Sequence, residues 1–128
     1  MSSYLDKILF KAEVDKLLLN LHEILLSKNF SVNTNLLIIQ KKKNKEFMSE
    51  NNIGLEDVVK VLLELKTENY MKSVLDDKNI QGLYLHEFAI KYNDIKYIYV
   101  KFKIQDNNLI IRVISFHKNE YDVSFPYS

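Results

Sequence analysis

Cysteine is absent from the 128-residue chain, and neither positive nor negative charge is in clear excess. Without cysteine there is no disulfide framework, no thiolate nucleophile and no cysteine-type zinc site. The 18 lysine and arginine residues nearly match the 17 aspartate and glutamate residues, so the formal net charge is +1. Bulk charge therefore gives no argument for nucleic-acid binding, and only local basic patches can provide one.

Long apolar runs are lacking as well, because Asp6, Lys7 and Lys11 interrupt the apolar residues near the N-terminus. We therefore expect no signal peptide, no membrane partner and a cytoplasmic location. The 3 histidines are scattered without a helical pair, so neither a metal site nor a cofactor is expected. No internal repeat or low-complexity linker divides the chain, and the 47% of hydrophobic residues predict a single domain over residues 1–128.

Helical spacing of apolar residues is typical of the first half. Over residues 4–26 it predicts one long amphipathic helix, or two with a break near Glu13, within an N-terminal helical segment over residues 1–28. The apolar run at 36–39 is compatible with a buried strand or an extended connection. The later helices are predicted over residues 46–52, after the basic run at 40–45, over about 56–66, and over 67–74 with Thr67 as the N-cap.

The second half alternates between apolar and polar residues, which is typical of strands. The pattern predicts an antiparallel meander of at least three strands, over residues 83–90, 96–104 and 109–116. Pro126 limits any last strand to a sheet edge. The predicted fold class is α+β, with N-terminal helices packed on a small antiparallel sheet.

The strand predicted over residues 96–104 places Tyr97, Tyr99, Lys101 and Lys103 on one face. Lysine and tyrosine often cover a solvated sheet face, which is the simpler interpretation. The alternative is RNA recognition, because tyrosines can stack on unpaired bases while lysines contact phosphates.

The register of the last hairpin decides whether His117 joins this face. A three-residue loop would place His117 opposite Tyr97, on the tyrosine face, and Arg112 on the helix side beside Phe102. A two-residue turn would place His117 with Ile98, on the helix side. Alternation alone does not choose between the two registers.

An ordered set of motifs resembles the MqsR family of type II toxins across residues 36–127. The motifs are KNKEF at 43–47, IGLEDV at 53–58, LKTENY at 65–70, YVKF at 99–102, ISFHKNEY at 114–121 and FPY at 125–127. The resemblance implies a compact fold of the RelE type and an endoribonuclease that degrades messenger RNA. It also implies neutralisation by a cognate antitoxin.

The resemblance also implies candidate catalytic residues. The Tyr-x-Lys pattern falls on Tyr99 and Lys101, and the Ser-Phe-His motif ends on His117. A further lysine corresponds to Lys72, and a polar residue on the first strand of the meander corresponds to His86.

RNA can be cleaved without a metal when its 2'-hydroxyl attacks the adjacent phosphate. A base must remove the 2' proton, an acid must protonate the leaving 5' oxygen, and cations must stabilise the phosphorane. His117 can serve as acid or base near neutral pH, and the lysines can stabilise the developing charge. The candidate RNA-binding residues are Tyr97, Lys103, Arg112, Lys41, Lys42 and Lys43. The alternatives are a non-catalytic protein-binding module and a nuclease that needs the ribosome to position the message.

Overall fold

A computed structural model describes residues 6–76 and 83–128 as an α+β fold, which confirms the predicted class. The helices are α1 (Lys11–Leu26), α2 (Lys42–Glu50) and α3 (Leu55–Glu64), followed by a 3₁₀ turn at Thr67–Asn69. The strands are β1 (Asp6–Lys7), β2 (Leu36–Ile38), β3 (Tyr70–Leu75), β4 (Tyr84–Tyr92), β5 (Ile95–Gln105) and β6 (Ile110–Lys118). No helix within these residues is long and apolar enough to cross a membrane.

The sheet has six strands in the order β1-β3-β4-β5-β6-β2. The predicted antiparallel meander is confirmed for β4, β5 and β6, and β3 extends it. The expectation of a purely antiparallel sheet is wrong, because β2 pairs with β6 in parallel. The long connection through α2, α3 and β3 to β5 lets β2 and β6 run in the same direction.

The N-terminal segment begins as a strand and becomes helical only at Lys11. The Glu13 carboxylate accepts a hydrogen bond from the backbone N–H of Phe10 at 2.9 Å, which caps the helix where the sequence suggested a break. Before this cap, Asp6 and Lys7 pair with β3 as an edge strand. Tyr4 and Leu5, the predicted start of the helix, lie outside the described residues.

The helix predicted over residues 67–74 is wrong. Only a 3₁₀ turn forms at its start, and Lys66 rather than Thr67 is the N-cap residue. From Tyr70 onward the chain is β3, because the fully buried Tyr70 ring packs edge-on against Phe88 of β4, with ring centroids 5.5 Å apart. Tertiary packing therefore overrides the local helical pattern. The predicted break after Asp76 falls on residues 77–79, which lie outside the described part of the chain.

One face of the sheet packs against α1 and α3 and forms the core. Residues Phe88, Ile98, Val100, Phe102 and Phe116 on this face are fully buried. The alternation of β5 predicted this division correctly, because the residues between them point to the other face. Residues 121–127 form no strand. The open face of the central strands is therefore available for function.

Candidate active site

The hairpin of β5 and β6 places His117 directly opposite Tyr99. Next to the turn the hairpin pairs Gln105 with Ile110, which is the register predicted for the two-residue turn, and the N–H of Leu109 donates to the carbonyl oxygen of Asp106 at 3.1 Å. A bulge at Ile114 then shifts the pairing by one residue before His117 is reached. The bulge brings His117 to the open face, which the two-residue turn alone would have prevented.

A buried asparagine of α2 holds this bulge. The Asn44 amide donates to the carbonyl oxygens of Ile39 and Ile114, at 2.9 and 3.0 Å, and accepts from the N–H of Phe116 at 2.9 Å. The Asn44 side chain thus satisfies the carbonyl oxygen of the extra residue, Ile114, and the N–H of Phe116 two residues further on. Residue 44 is 1% exposed, so no solvent competes for these bonds.

A groove of about 750 Å³ lies over this part of the open face. Six of the candidate residues line it: Lys41, Lys43, Lys72, Tyr99, Lys101 and His117. Residues that sequence reasoning did not select also line it: Met71, Glu87, Ser115, Asn119, Glu120, Tyr121 and Asp122. The structure therefore brings together four of the five candidate catalytic residues, contributed by β3, β5 and β6.

His117 is half-buried beside Tyr99, with ring centroids 5.5 Å apart. Its Nδ1 lies 2.9 Å from the backbone carbonyl oxygen of Lys118, so Nδ1 carries a proton and donates it there. Nε2 is then the ring nitrogen left to exchange a proton with a ligand. Burial, together with the charges of Lys41 and Lys43, lowers the pKa of His117 from its ordinary value.

Lysine side chains from α2 and β5 supply positive charge on one side of the groove. The Lys41 ammonium donates to the buried Ser115 hydroxyl at 2.7 Å. Burial is the main cause that lowers the pKa of Lys41, and repulsion by the positive charge of Lys101 adds to it. An anion held between them would relieve this repulsion.

Two other groove lysines have carboxylate partners. Lys43 pairs with Glu120 at 2.7 Å on an exposed rim, and Lys72 pairs with Asp6 of β1 at 2.9 Å. The hydrogen bond to Asp6 raises the pKa of Lys72. Both lysines therefore stay cationic, but part of their charge is already compensated.

The phenol of Tyr99 is held from below by Glu87, a residue that sequence reasoning missed. Glu87 is 6% exposed, and its carboxylate accepts a hydrogen bond from the Tyr99 hydroxyl. Burial and the Glu87 charge raise the pKa of Tyr99 far above its usual range. The available signal was an acidic residue in the middle of an apolar strand, on the same face of β4 as Leu85 and Ala89.

His86 is not brought to this groove. Its Cα partner in β5 is Phe102, so its side chain lies on the helix-packed face of the sheet. There Nδ1 hydrogen-bonds to the buried hydroxyl of Ser73 at 2.8 Å, and Ser73 in turn contacts the Tyr70 hydroxyl at 2.8 Å. The structure thus places His86 in a buried polar chain, because the side-chain period of a strand is two residues and Glu87 takes the open face.

The other predicted RNA-binding residues lie outside the groove. The ring of Tyr97 packs edge-on against Phe125 at 5.6 Å. Lys103 is 8% exposed and pairs with Asp76 at 2.7 Å, so its charge serves the fold. Arg112 lies opposite Lys103, beyond the bulge, so it does not point to the helix side as the three-residue loop would require. Lys42 is highly exposed on α2, 3.8 Å from Glu46.

Among residues 6–76 and 83–128, no three histidine, aspartate or glutamate side chains are grouped so that they could hold a metal ion. No protein-family model, curated protein or solved structure matches the chain.

Proposed function

We propose that the protein is a metal-independent endoribonuclease that cleaves messenger RNA, acting as the toxin of a type II toxin–antitoxin system. The observation that carries the proposal is the position of His117, with Nε2 left free, among the cations of Lys41 and Lys101 in one groove. The MqsR-like motifs support the same function, and the α+β architecture is compatible with a RelE-type fold. The partners are messenger RNA, a cognate antitoxin and, if it positions the message, the ribosome.

The reaction needs no group that the groove lacks. The 2'-oxygen attacks phosphorus, the bond from phosphorus to the 5'-oxygen breaks, and the products are a 2',3'-cyclic phosphate and a 5'-hydroxyl. Lys41 and Lys101 hold the phosphate and stabilise the charge that grows on it in the transition state. His117 transfers one of the two protons that must move.

The direct test incubates purified protein with a mixed-sequence single-stranded RNA in the presence of EDTA. The wild type should give discrete fragments that end in cyclic phosphate, and no cleavage where a 2'-deoxynucleotide replaces the reacting one. His117→Ala and Lys101→Ala should each lose roughly 10²- to 10⁴-fold in rate. Matched controls are His22→Gln and Lys60→Ala, whose residues lie on α1 and α3 away from the groove.

The test has two outcomes that redirect the proposal. Cleavage only in the presence of translating ribosomes would make the protein a ribosome-dependent nuclease. Intact RNA in both settings, from a folded wild type whose expression leaves growth unchanged, would refute the nuclease and favour a protein-binding module.

A further inference from the structure

Glu87 is a buried carboxylate at the centre of the groove. On β4 it lies between Lys72 of β3 and Lys101 of β5, each of which is its direct Cα partner. Burying a carboxylate costs several kcal/mol unless charges or hydrogen bonds compensate it. The neighbouring cations and the Tyr99 hydroxyl provide this compensation for a carboxylate that is 6% exposed.

The hydrogen bond to Glu87 determines what Tyr99 can do. Because its hydroxyl proton points to Glu87, the Tyr99 oxygen offers the groove a lone pair rather than a proton. The pKa of Tyr99 is so strongly raised that the phenol does not lose its proton to solvent. Tyr99 can therefore accept a proton from a ligand only if it passes its own proton to Glu87.

Cleavage requires a second proton-transfer group besides His117. The attacking 2'-hydroxyl must lose a proton while the leaving 5'-oxygen gains one, and His117 has one ring nitrogen free for a ligand. Of the other groove carboxylates, Glu120 is paired with Lys43 on the exposed rim and Asp122 is exposed. Glu87 and Tyr99 lie together in the groove, and a hydrogen bond joins the carboxylate to the phenol.

We propose that Glu87 and Tyr99 form a proton relay that deprotonates the 2'-hydroxyl, and that His117 protonates the leaving 5'-oxygen. The 2'-proton passes to the Tyr99 oxygen as the Tyr99 proton passes to Glu87, and Nε2 of His117 gives its proton as the bond to the 5'-oxygen breaks. Glu87 ends as a neutral acid and His117 as a neutral imidazole, and both return to their starting states by exchange with water. The inference rests on the proposed function.

A phosphate bound between Lys41 and Lys101 favours this assignment, with the Glu87–Tyr99 relay as the base and His117 as the acid. In the free protein, burial and the nearby lysines keep the pKa of His117 low. The negative charge of a bound phosphodiester offsets these lysines and favours the protonated imidazole, which is the form that an acid needs. The relay stays on the β4 and β5 side, next to Lys72 and Lys101, the two Cα partners of Glu87.

A substrate with sulfur in place of the bridging 5'-oxygen separates the two roles. A thiolate leaves without help from an acid, so such a linkage still needs the base but no longer needs the acid. The sulfur is placed at the linkage that the wild type cleaves most rapidly in the mixed-sequence RNA. We expect His117→Ala to lose about 10²-fold or more on the oxygen substrate and to regain most of the wild-type rate on the sulfur substrate.

Glu87→Gln and Tyr99→Phe should lose rate equally on both substrates, because neither change is corrected by a better leaving group. Glu64→Gln, an exposed residue at the end of α3, is the control for loss of a carboxylate. Rescue of Glu87→Gln but not of His117→Ala would overturn the assignment. A wild-type enzyme that cleaves neither substrate would refute the proposed function, and the relay with it.

A double-mutant cycle distinguishes a relay from a structural role for Glu87. If Glu87 acts through Tyr99, Glu87→Gln should lower kcat in the wild type but have little further effect in Tyr99→Phe. If the two losses multiply, Glu87 supports the fold and the relay is refuted. Should Glu87→Gln fail to fold, Tyr99→Phe alone decides, because the relay requires that its loss persist on the sulfur substrate.

Discussion

Replacing Asn44 with alanine should lower the free energy of unfolding by about 3 kcal/mol and disturb the position of His117. The Asn44 amide is 1% exposed and makes hydrogen bonds to Ile39, Ile114 and Phe116. Three backbone groups lose their partner, and each one left buried without a hydrogen bond costs about 1 to 3 kcal/mol. Partial relaxation of the strand keeps the total near the lower end of this sum.

The same substitution should affect the candidate site because Asn44 bonds the backbone of the bulge at Ile114 and Phe116. Without the bulge, continued pairing of β5 and β6 would place His117 opposite Ile98, on the buried face. We therefore expect cleavage of RNA per folded molecule to fall, together with the contact between the His117 and Tyr99 rings that proton NMR can detect.

Urea unfolding followed by circular dichroism measures the change in stability. The control is Asn51→Ala at the exposed end of α2, where one hydrogen bond to Phe47 at 2.9 Å is lost. It should cost less than about 1 kcal/mol. A cost for Asn44→Ala no larger than that of the control, with the ring contact preserved, would refute the role given to Asn44.

Three further predictions concern charge. Burial and Lys7 lower the pKa of His86 to about 4 from 6.5, so its contribution to stability is complete above pH 6.5 and should fall by about 3 kcal/mol as the pH drops to about 4. Between pH 7 and pH 4.5, urea unfolding should show a larger loss of unfolding free energy in the wild type than in His86→Gln. Equal losses would refute this contribution of His86. Lys103→Met should lower the free energy of unfolding by about 3 kcal/mol, because Asp76 loses a cation at 2.7 Å. It should leave the rate of RNA cleavage per folded molecule unchanged, and a lower rate would show that Lys103 contributes to RNA binding. In fluorescence titrations, Lys101→Ala should make the slope of log affinity against log salt shallower by about 0.7, whereas Lys60→Ala should not, and equal slopes would exclude a phosphate contact.

The open face of β5 could be predicted from sequence because it depends only on the period of the strand. Tyr99 and Lys101 lie where alternation placed them. The position of His117 could not be predicted in the same way, because the bulge that sets it is held by Asn44, 72 residues away from Phe116 along the chain. A register that depends on a distant buried amide leaves no trace in the local pattern.

The errors around β3 and β4 have related physical causes. The segment from Thr67 has helical spacing, but the burial of Tyr70 against Phe88 makes it a strand, and only the fold reveals that neighbour. His86 and Glu87 are adjacent, so a strand must send one of them to each face. The resemblance selected the histidine, whereas the structure places Glu87 on the open face and His86 on the helix-packed face.

The net charge of +1 is compatible with RNA binding once the partners of the groove lysines are considered. Asp6 and Glu120 already compensate Lys72 and Lys43, so these pairs add little to the field that a distant RNA would encounter. Lys41 has no such carboxylate partner among the described residues, and repulsion by Lys101 adds to burial in lowering its pKa. A phosphate between them gains the attraction of two cations and also removes their repulsion. Local affinity for one phosphate therefore does not require a basic protein, and such a groove favours a single well-placed linkage over the whole backbone of a nucleic acid.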